Sequence, residues 1–204
     1  MSVKVMIRGI LILAFCFVFQ AAVLAAGNLF LNPSFEEGAE NWHMDTGGNT
    51  VADFTVNEDD AIDGESSALA TITTIDSWGS QFGQTLAVAG ENGKTYTFAV
   101  MAKSEGGSVE VTLQIERPAS PWDRAARSDA LTFGNEWTEL YVTFDVVTDF
   151  PEGWFAYISC EQENVEYRAD MFQLYEGEYV PYEMPASVSA KSLVTTWGDV
   201  KGKP

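Results

Sequence analysis

The feature that most constrains this chain is a two-residue alternation of apolar and polar side chains. It recurs from Ala52 to Leu174, with no helical periodicity between its runs. Tyr96, Phe98, Val100 and Ala102 alternate with Thr97, Ala99, Met101 and Lys103. Val109, Val111, Leu113 and Ile115 alternate with Glu110, Thr112, Gln114 and Glu116. The same holds for Leu140, Val142, Phe144 and Val146, and for Ala156, Ile158 and Cys160 against Phe155, Tyr157, Ser159 and Glu161. Successive side chains of a strand point to opposite faces, so each run describes a strand with one face in a core. Asp63-Gly64, Glu91-Asn92-Gly93, Gly106-Gly107, Gly134-Asn135 and Pro151-Glu152-Gly153 separate the runs with turn chemistry. Short strands at this spacing predict an all-β fold, an antiparallel jelly-roll β-sandwich.

The two ends have a different character. Lys4 and Arg8 precede an apolar run from Ile10 to Phe19, and Ala21, Ala22, Ala25 and Ala26 follow it. Residues 1–26 therefore read as a signal peptide cut after Ala25 or Ala26, and predict a secreted protein, extracellular or periplasmic. The run is too short to span a bilayer comfortably. At Cys16 a lipoprotein site is disfavoured by Phe15 before it and by the apolar residues after it. Residues 27–182 are the size of one domain. Residues 183–204, with Pro185 and a cluster of lysines, read as a flexible tail. Trp197 within it either packs back on the domain or serves attachment or dimerisation.

Charge and cysteine content narrow the function. The formal charge of −19 becomes −21 without Lys4 and Arg8. That excludes nucleic acid and anionic membrane as natural partners, and it leaves carboxylates free to hold calcium. Only Cys160 remains after the leader, so no internal disulfide is available, and it reads as a small core residue. A monomer is expected.

Four segments carry a family resemblance. They are the opening Asn28-Leu29-Phe30-Leu31-Asn32-Pro33-Ser34-Phe35-Glu36-Glu37-Gly38 with Trp42; Gly93 to Ser104; Glu136-Trp137-Thr138-Glu139 leading to Phe144; and Tyr167-Arg168-Ala169-Asp170-Met171-Phe172-Gln173-Leu174. Together they resemble carbohydrate-binding modules of the family 4/9, cellulase-C type, over about Asn28 to Tyr182. The resemblance implies a galactose-binding-like jelly roll, a structural calcium ion and a sugar groove. Such modules are usually joined to glycoside hydrolases.

Sugar rings offer C–H faces and a rim of hydroxyls, so a groove needs aromatic planes and hydrogen-bonding side chains. Trp78 and Trp122 sit among small, polar or proline neighbours, where the resemblance places stacking aromatics; each could instead cap the core edge. Trp42, Trp137 and Trp154 read as packing residues. Gln81, Gln114, Glu116, Tyr157, Ser159 and Glu161 are the polar candidates for a groove face. Arg117, Arg124 and Arg127 either grip a ligand, an acidic glycan included, or pair locally with Glu116, Asp123 and Asp129. For calcium, the resemblance points to Glu36 and Asp170, with Asp60 before the Asp63-Gly64 turn as a third ligand.

An enzyme is the rival reading. His43 is the one histidine and neighbours Trp42, which argues against a histidine triad or zinc cluster. Among thirty acidic residues a carboxylate pair has no specificity. The expectation is a non-catalytic protein that binds a polysaccharide or oligosaccharide. The alternatives are an accessory module of a glycoside hydrolase system and a sandwich for protein adhesion.

Overall fold

In the computed structural model, which describes residues 27–88 and 90–183, eleven strands form and no helix does among those residues. The signal-peptide reading, residues 1–26, and the tail reading, 183–204 with Trp197, lie outside the described residues except for residue 183. The strands are β1 (His43–Thr46), β2 (Val51–Asn57), β3 (Ser67–Thr74), β4 (Ser80–Leu86), β5 (Thr95–Ser104) and β6 (Val109–Glu116). They continue as β7 (Arg124–Arg127), β8 (Leu131–Phe133), β9 (Thr138–Asp145), β10 (Trp154–Cys160) and β11 (Val165–Glu176). One sheet has the order β1-β4-β10-β6-β7, with β8 also on β6, and the other β2-β3-β11-β5-β9. All the pairings are antiparallel, as a β-sandwich of this class requires.

The alternation falls in phase with the core. Phe82, Leu86, Val111, Leu113, Ile115, Ala156, Ile158 and Cys160 point inwards from the first sheet, and Phe98, Val100, Ala102, Leu140, Ala169 and Phe172 from the second. Aromatic rings bridge the layers: Trp42 packs on Phe172 with centroids 4.4 Å apart, and Phe35 on Trp42 at 4.9 Å. Trp42 and Trp154 are core residues, as expected, and Cys160 is a buried free thiol. The opening segment is zippered along β11. Leu29 N donates to Leu174 O, Phe172 N to Pro33 O, and Asn28 Oδ1 accepts from Leu174 N. It takes the side of β11 that β3 leaves after Ala169, beside a register irregularity between Asp170 and Gln173.

The outer face of the second sheet departs from simple alternation. Thr97, Ala99 and Met101, the outward residues of β5, are buried. Two segments cover them. Residues 177–183 cross the face, with Tyr179 Oη donating to Glu139 Oε2 at 2.6 Å and Gly177 O accepting from Thr97 Oγ1 at 2.9 Å. Residues 58–66 fold over β11, where Arg168 meets Glu105, Asn57, Ser67 and Asp59, and Ile62 packs with Met101 and Met171. Tyr182 and Trp137 complete that small cluster. The outward residues at the centre of the first sheet, Phe155, Tyr157, Ser159, Gln114 and Glu116, are also buried, packed against one another within the sheet's own face.

Gly83, on the outer face of the first sheet, lets β4 and β10 approach closely. A Cβ there would lie 2.1 Å from Ala156 O and 2.6 Å from Tyr157 Cβ. Gly83→Ala must push the strands apart and is expected to destabilise the fold by about 1–3 kcal/mol. Urea denaturation checks this; an unchanged midpoint would mean that the two strands have slack.

Candidate functional site

Register places the outward residues of the first sheet in rows. His43, Gly83, Tyr157, Gln114 and Arg127 form one row across five strands. Asp45, Gln81, Ser159 and Thr112 form the next, and Thr85, Phe155, Glu116 and Arg124 flank the other side. The sequence-predicted residues Gln81, Gln114, Glu116, Tyr157 and Ser159 are thus brought onto one face. Trp78 lies just before β4 beyond the Ser80–Cys160 end, and Trp122 in the β6–β7 loop beyond the Glu116–Phe155 end. Both indoles are open to solvent, at 45% and 57% exposure. Neither caps the core.

Tyr157 is the centre of the face. Its hydroxyl lies 2.9 Å from Glu116 Oε2 and 3.1 Å from Gln114 Oε1, which compete for its one proton, and it accepts from Gln81 Nε2 at 3.3 Å. Burial raises the proton affinity of the Glu116 carboxyl, against the hydrogen bond from Tyr157 and the Arg124 charge, which lower it. Burial likewise raises Tyr157, with the Glu116 charge adding to it. A neutral hydroxyl held by a carboxylate and two amides is a rigid hydrogen-bonding centre. Beside it the rings of Phe155 and Tyr157 stack at 4.6 Å, and His43 lies over Phe155 at 5.0 Å and 14°. A cleft of about 440 Å³ opens where Thr112, Arg127, Ser159 and Glu161 meet.

Phe155 and His43 were not among the sequence candidates. Phe155 was findable, because it shares the phase of Tyr157 and Ser159. His43 was read with Trp42 as structural, yet neighbours on a strand face opposite ways. For Arg117 the structure shows the local pairing, with Asp123 as its partner. Arg117 does not join the face but packs over the Phe150 ring at 5.2 Å, between Asp123 at 3.6 Å and Glu152 at 3.7 Å, with Nε buried and unpartnered. Arg124 faces Glu116 at 3.9 Å and Arg127 faces Glu161 at 4.0 Å.

The expected calcium ligands divide. Asp170 is wholly buried and takes N–H bonds from Ile62, Asp63 and Met171. Burial nevertheless pushes its carboxyl up to about 7, with the Asp63 charge adding to it. Glu36 Oε1 accepts from Glu65 N and Ser66 N on the same loop, at 2.9 Å each. Asp60 is a correction: Lys103 pairs with it and Trp137 Nε1 donates to it at 3.1 Å, which hold its carboxyl low despite burial. No three acidic, histidine or cysteine groups converge as a metal cage among the described residues. Glu36 is exposed and Asp170 buried, and each accepts N–H bonds from the 60–66 loop, so the two are tied to one loop.

A family model described as a carbohydrate binding domain matches residues 27–160. No curated protein matches the sequence. Among solved structures, a CBM4 module is similar at 20% identity and TM-score 0.60, over 72% of this chain and 99% of that one. The CBM22-1 xylan-binding domain from Paenibacillus barcinonensis Xyn10C is similar at 19% and 0.56, over 76% and 98%. The C-terminal family 22 carbohydrate binding module of Clostridium thermocellum Xyn10B is similar at 19% and 0.57, over 78% and 98%. Identity this low speaks for a shared fold, the predicted β-sandwich.

Tyr157→Phe removes the shared partner of Gln114 and Glu116, both nearly buried. It is expected to cost about 1–3 kcal/mol of stability, the cost of leaving buried polar groups unpaired. Guanidinium unfolding checks it; a variant as stable as the parent would show that solvent replaces the hydroxyl.

Proposed function

The chain belongs to the carbohydrate binding domain family, and we propose that it is a secreted, non-catalytic protein that holds a neutral polysaccharide across the outer face of the first sheet. The observation that carries this reading is the face itself: a central Tyr157 network, a His43–Phe155–Tyr157 ring stripe, and exposed indoles at both ends. The exposed Trp78 and Trp122 planes stack on sugar C–H faces, while Gln81 and Glu161, the less buried polar groups of the face, hydrogen-bond the hydroxyl rim.

Charge supports a neutral ligand over an acidic one. Arg117, Arg124 and Arg127 each have a carboxylate within 4.0 Å, so an incoming uronate would have to displace one. The non-catalytic reading rests on roles already taken. His43 stacks on Phe155, Cys160 is buried, and the face carboxylates pair with Tyr157, Arg124 or Arg127. Similarity to a xylan-binding domain makes xylan one of the first glycans to try. Calcium, held by Glu36 and Asp170, would tie the 60–66 loop to β11.

The test is a glycan array followed by affinity electrophoresis of Trp78→Ala and Trp122→Ala, with melting curves as the folding control. Losing one plane is expected to remove about 1–3 kcal/mol, by analogy with base stacking, which is roughly tenfold or more in affinity. Binding should change little with salt for a neutral glycan, and no reducing ends should be released. Two variants that bind like the parent would move the site elsewhere; sugar release abolished by one Asp or Glu substitution would make the protein an enzyme. EDTA at matched ionic strength should lower the melting temperature, since an ion bound only to the native state stabilises it by mass action. A curve unmoved by EDTA would remove calcium from the account.

A further inference from the structure

Trp78 is an exposed ring, and an exposed ring is a useful stacking plane only if its orientation is set before the ligand arrives. The two loops around it are joined with unusual completeness. Asp76 Oδ2 accepts from both the backbone N–H and the side-chain amide of Asn49, each at 2.9 Å, and Oδ1 accepts from Ser77 N at 2.7 Å. Thr50 Oγ1 donates to Asp76 O and accepts from Asp76 N, both at 2.8 Å. Gly47 N donates to Gly79 O at 3.0 Å. The β1–β2 loop and the β3–β4 loop are therefore clasped on either side of the indole.

Two glycines make the clasp close on the ring. A Cβ at Gly47 would sit 2.7 Å from Cδ2 and Cε2 of Trp78 and 2.9 Å from Cγ, so the bare backbone lies against the indole. A Cβ at Gly48, whose φ is +60°, would sit 2.6 Å from Asp76 Oδ2. Any other residue at either place displaces the ring or the carboxylate. We propose that Asp76, Asn49, Gly47 and Gly48 are positioning residues for Trp78, fixing its ring for stacking without touching the glycan themselves. This rests on the binding face proposed above. The hydrogen bonds from Asn49, first its backbone N–H and then its side chain, hold the Asp76 carboxyl below the usual range, so the clasp is charged at neutral pH.

The test has two readouts. In 1H–15N spectra of the full chain, with the Trp78 indole signal assigned by Trp78→Phe, Asp76→Asn and Gly47→Ala should shift or broaden that signal and leave those of Trp42 and Trp154 in place. Asparagine keeps the size of the aspartate but sets an NH2 against the N–H donors. In affinity electrophoresis on soluble xylan, each variant should bind several-fold more weakly. In a Trp78→Ala background neither substitution should weaken binding further, because a positioning residue has nothing left to position. An unmoved Trp78 signal overturns the proposal, as does a loss that persists in full in the Trp78→Ala background. If Trp78→Ala itself binds xylan like the parent, or the parent ignores xylan, the xylan reading of the face fails; the indole signals then still decide the clasp.

Discussion

An ionisable group taken out of water has to be answered by partners, and this fold is organised around two such groups on one strand. Arg168 and Asp170 stand two residues apart on β11, on the side away from the core, and both are buried. The 58–66 segment answers them, with Asp59 near the guanidinium and the amides of Ile62 and Asp63 on the carboxylate. Arg168 has its closest carboxylate in Glu105, on the turn after β5, so the guanidinium is held from two sides while Asp170 depends on the 60–66 loop amides. Closing this loop is also what covers Met101 and turns the second sheet into a layer with little open surface at its middle. The division of labour between the two sheets follows from that closure.

The first sheet is the complement. Its outer face keeps polar side chains in an ordered network rather than surrendering them to a covering segment. Its centre is a tightly packed polar network, and the rings open to solvent, Trp78 and Trp122, lie at its two ends. Geometry and family membership agree here without depending on each other, since the rows come from strand register and the membership from the sequence match.

Much of this was legible in the residues. Alternation assigns Ala156, Ile158 and Cys160 to the core and Tyr157 and Ser159 to the opposite face, and the structure agrees. The same rule, applied evenly, would have added Phe155 and separated His43 from Trp42. What periodicity cannot supply is which strands become neighbours. Gln114 meets Tyr157 because β6 pairs with β10, forty-odd residues on, and nothing local announces that pairing. The misreading of Asp60 has the same origin: its partners Lys103 and Trp137 arrive from distant strands. Thr97 and Met101 look outward-facing in sequence because alternation counts one covering layer, and the 58–66 and 177–183 segments add a second.

The zipper between the opening segment and β11 has a mechanical side. Leu29 bonds to Leu174 and Pro33 to Phe172, so the two runs are antiparallel and their outer ends, Asn28 and Gly177, lie at the same extremity. Tension applied between those ends would open the bonds one after another, starting with Leu29–Leu174, in the geometry of a zip fastener rather than a shear joint. Beyond that first bond the pull meets Leu31, whose N–H and carbonyl are both held by the Gln84 side chain on β4, so the opening segment is riveted to both layers at once.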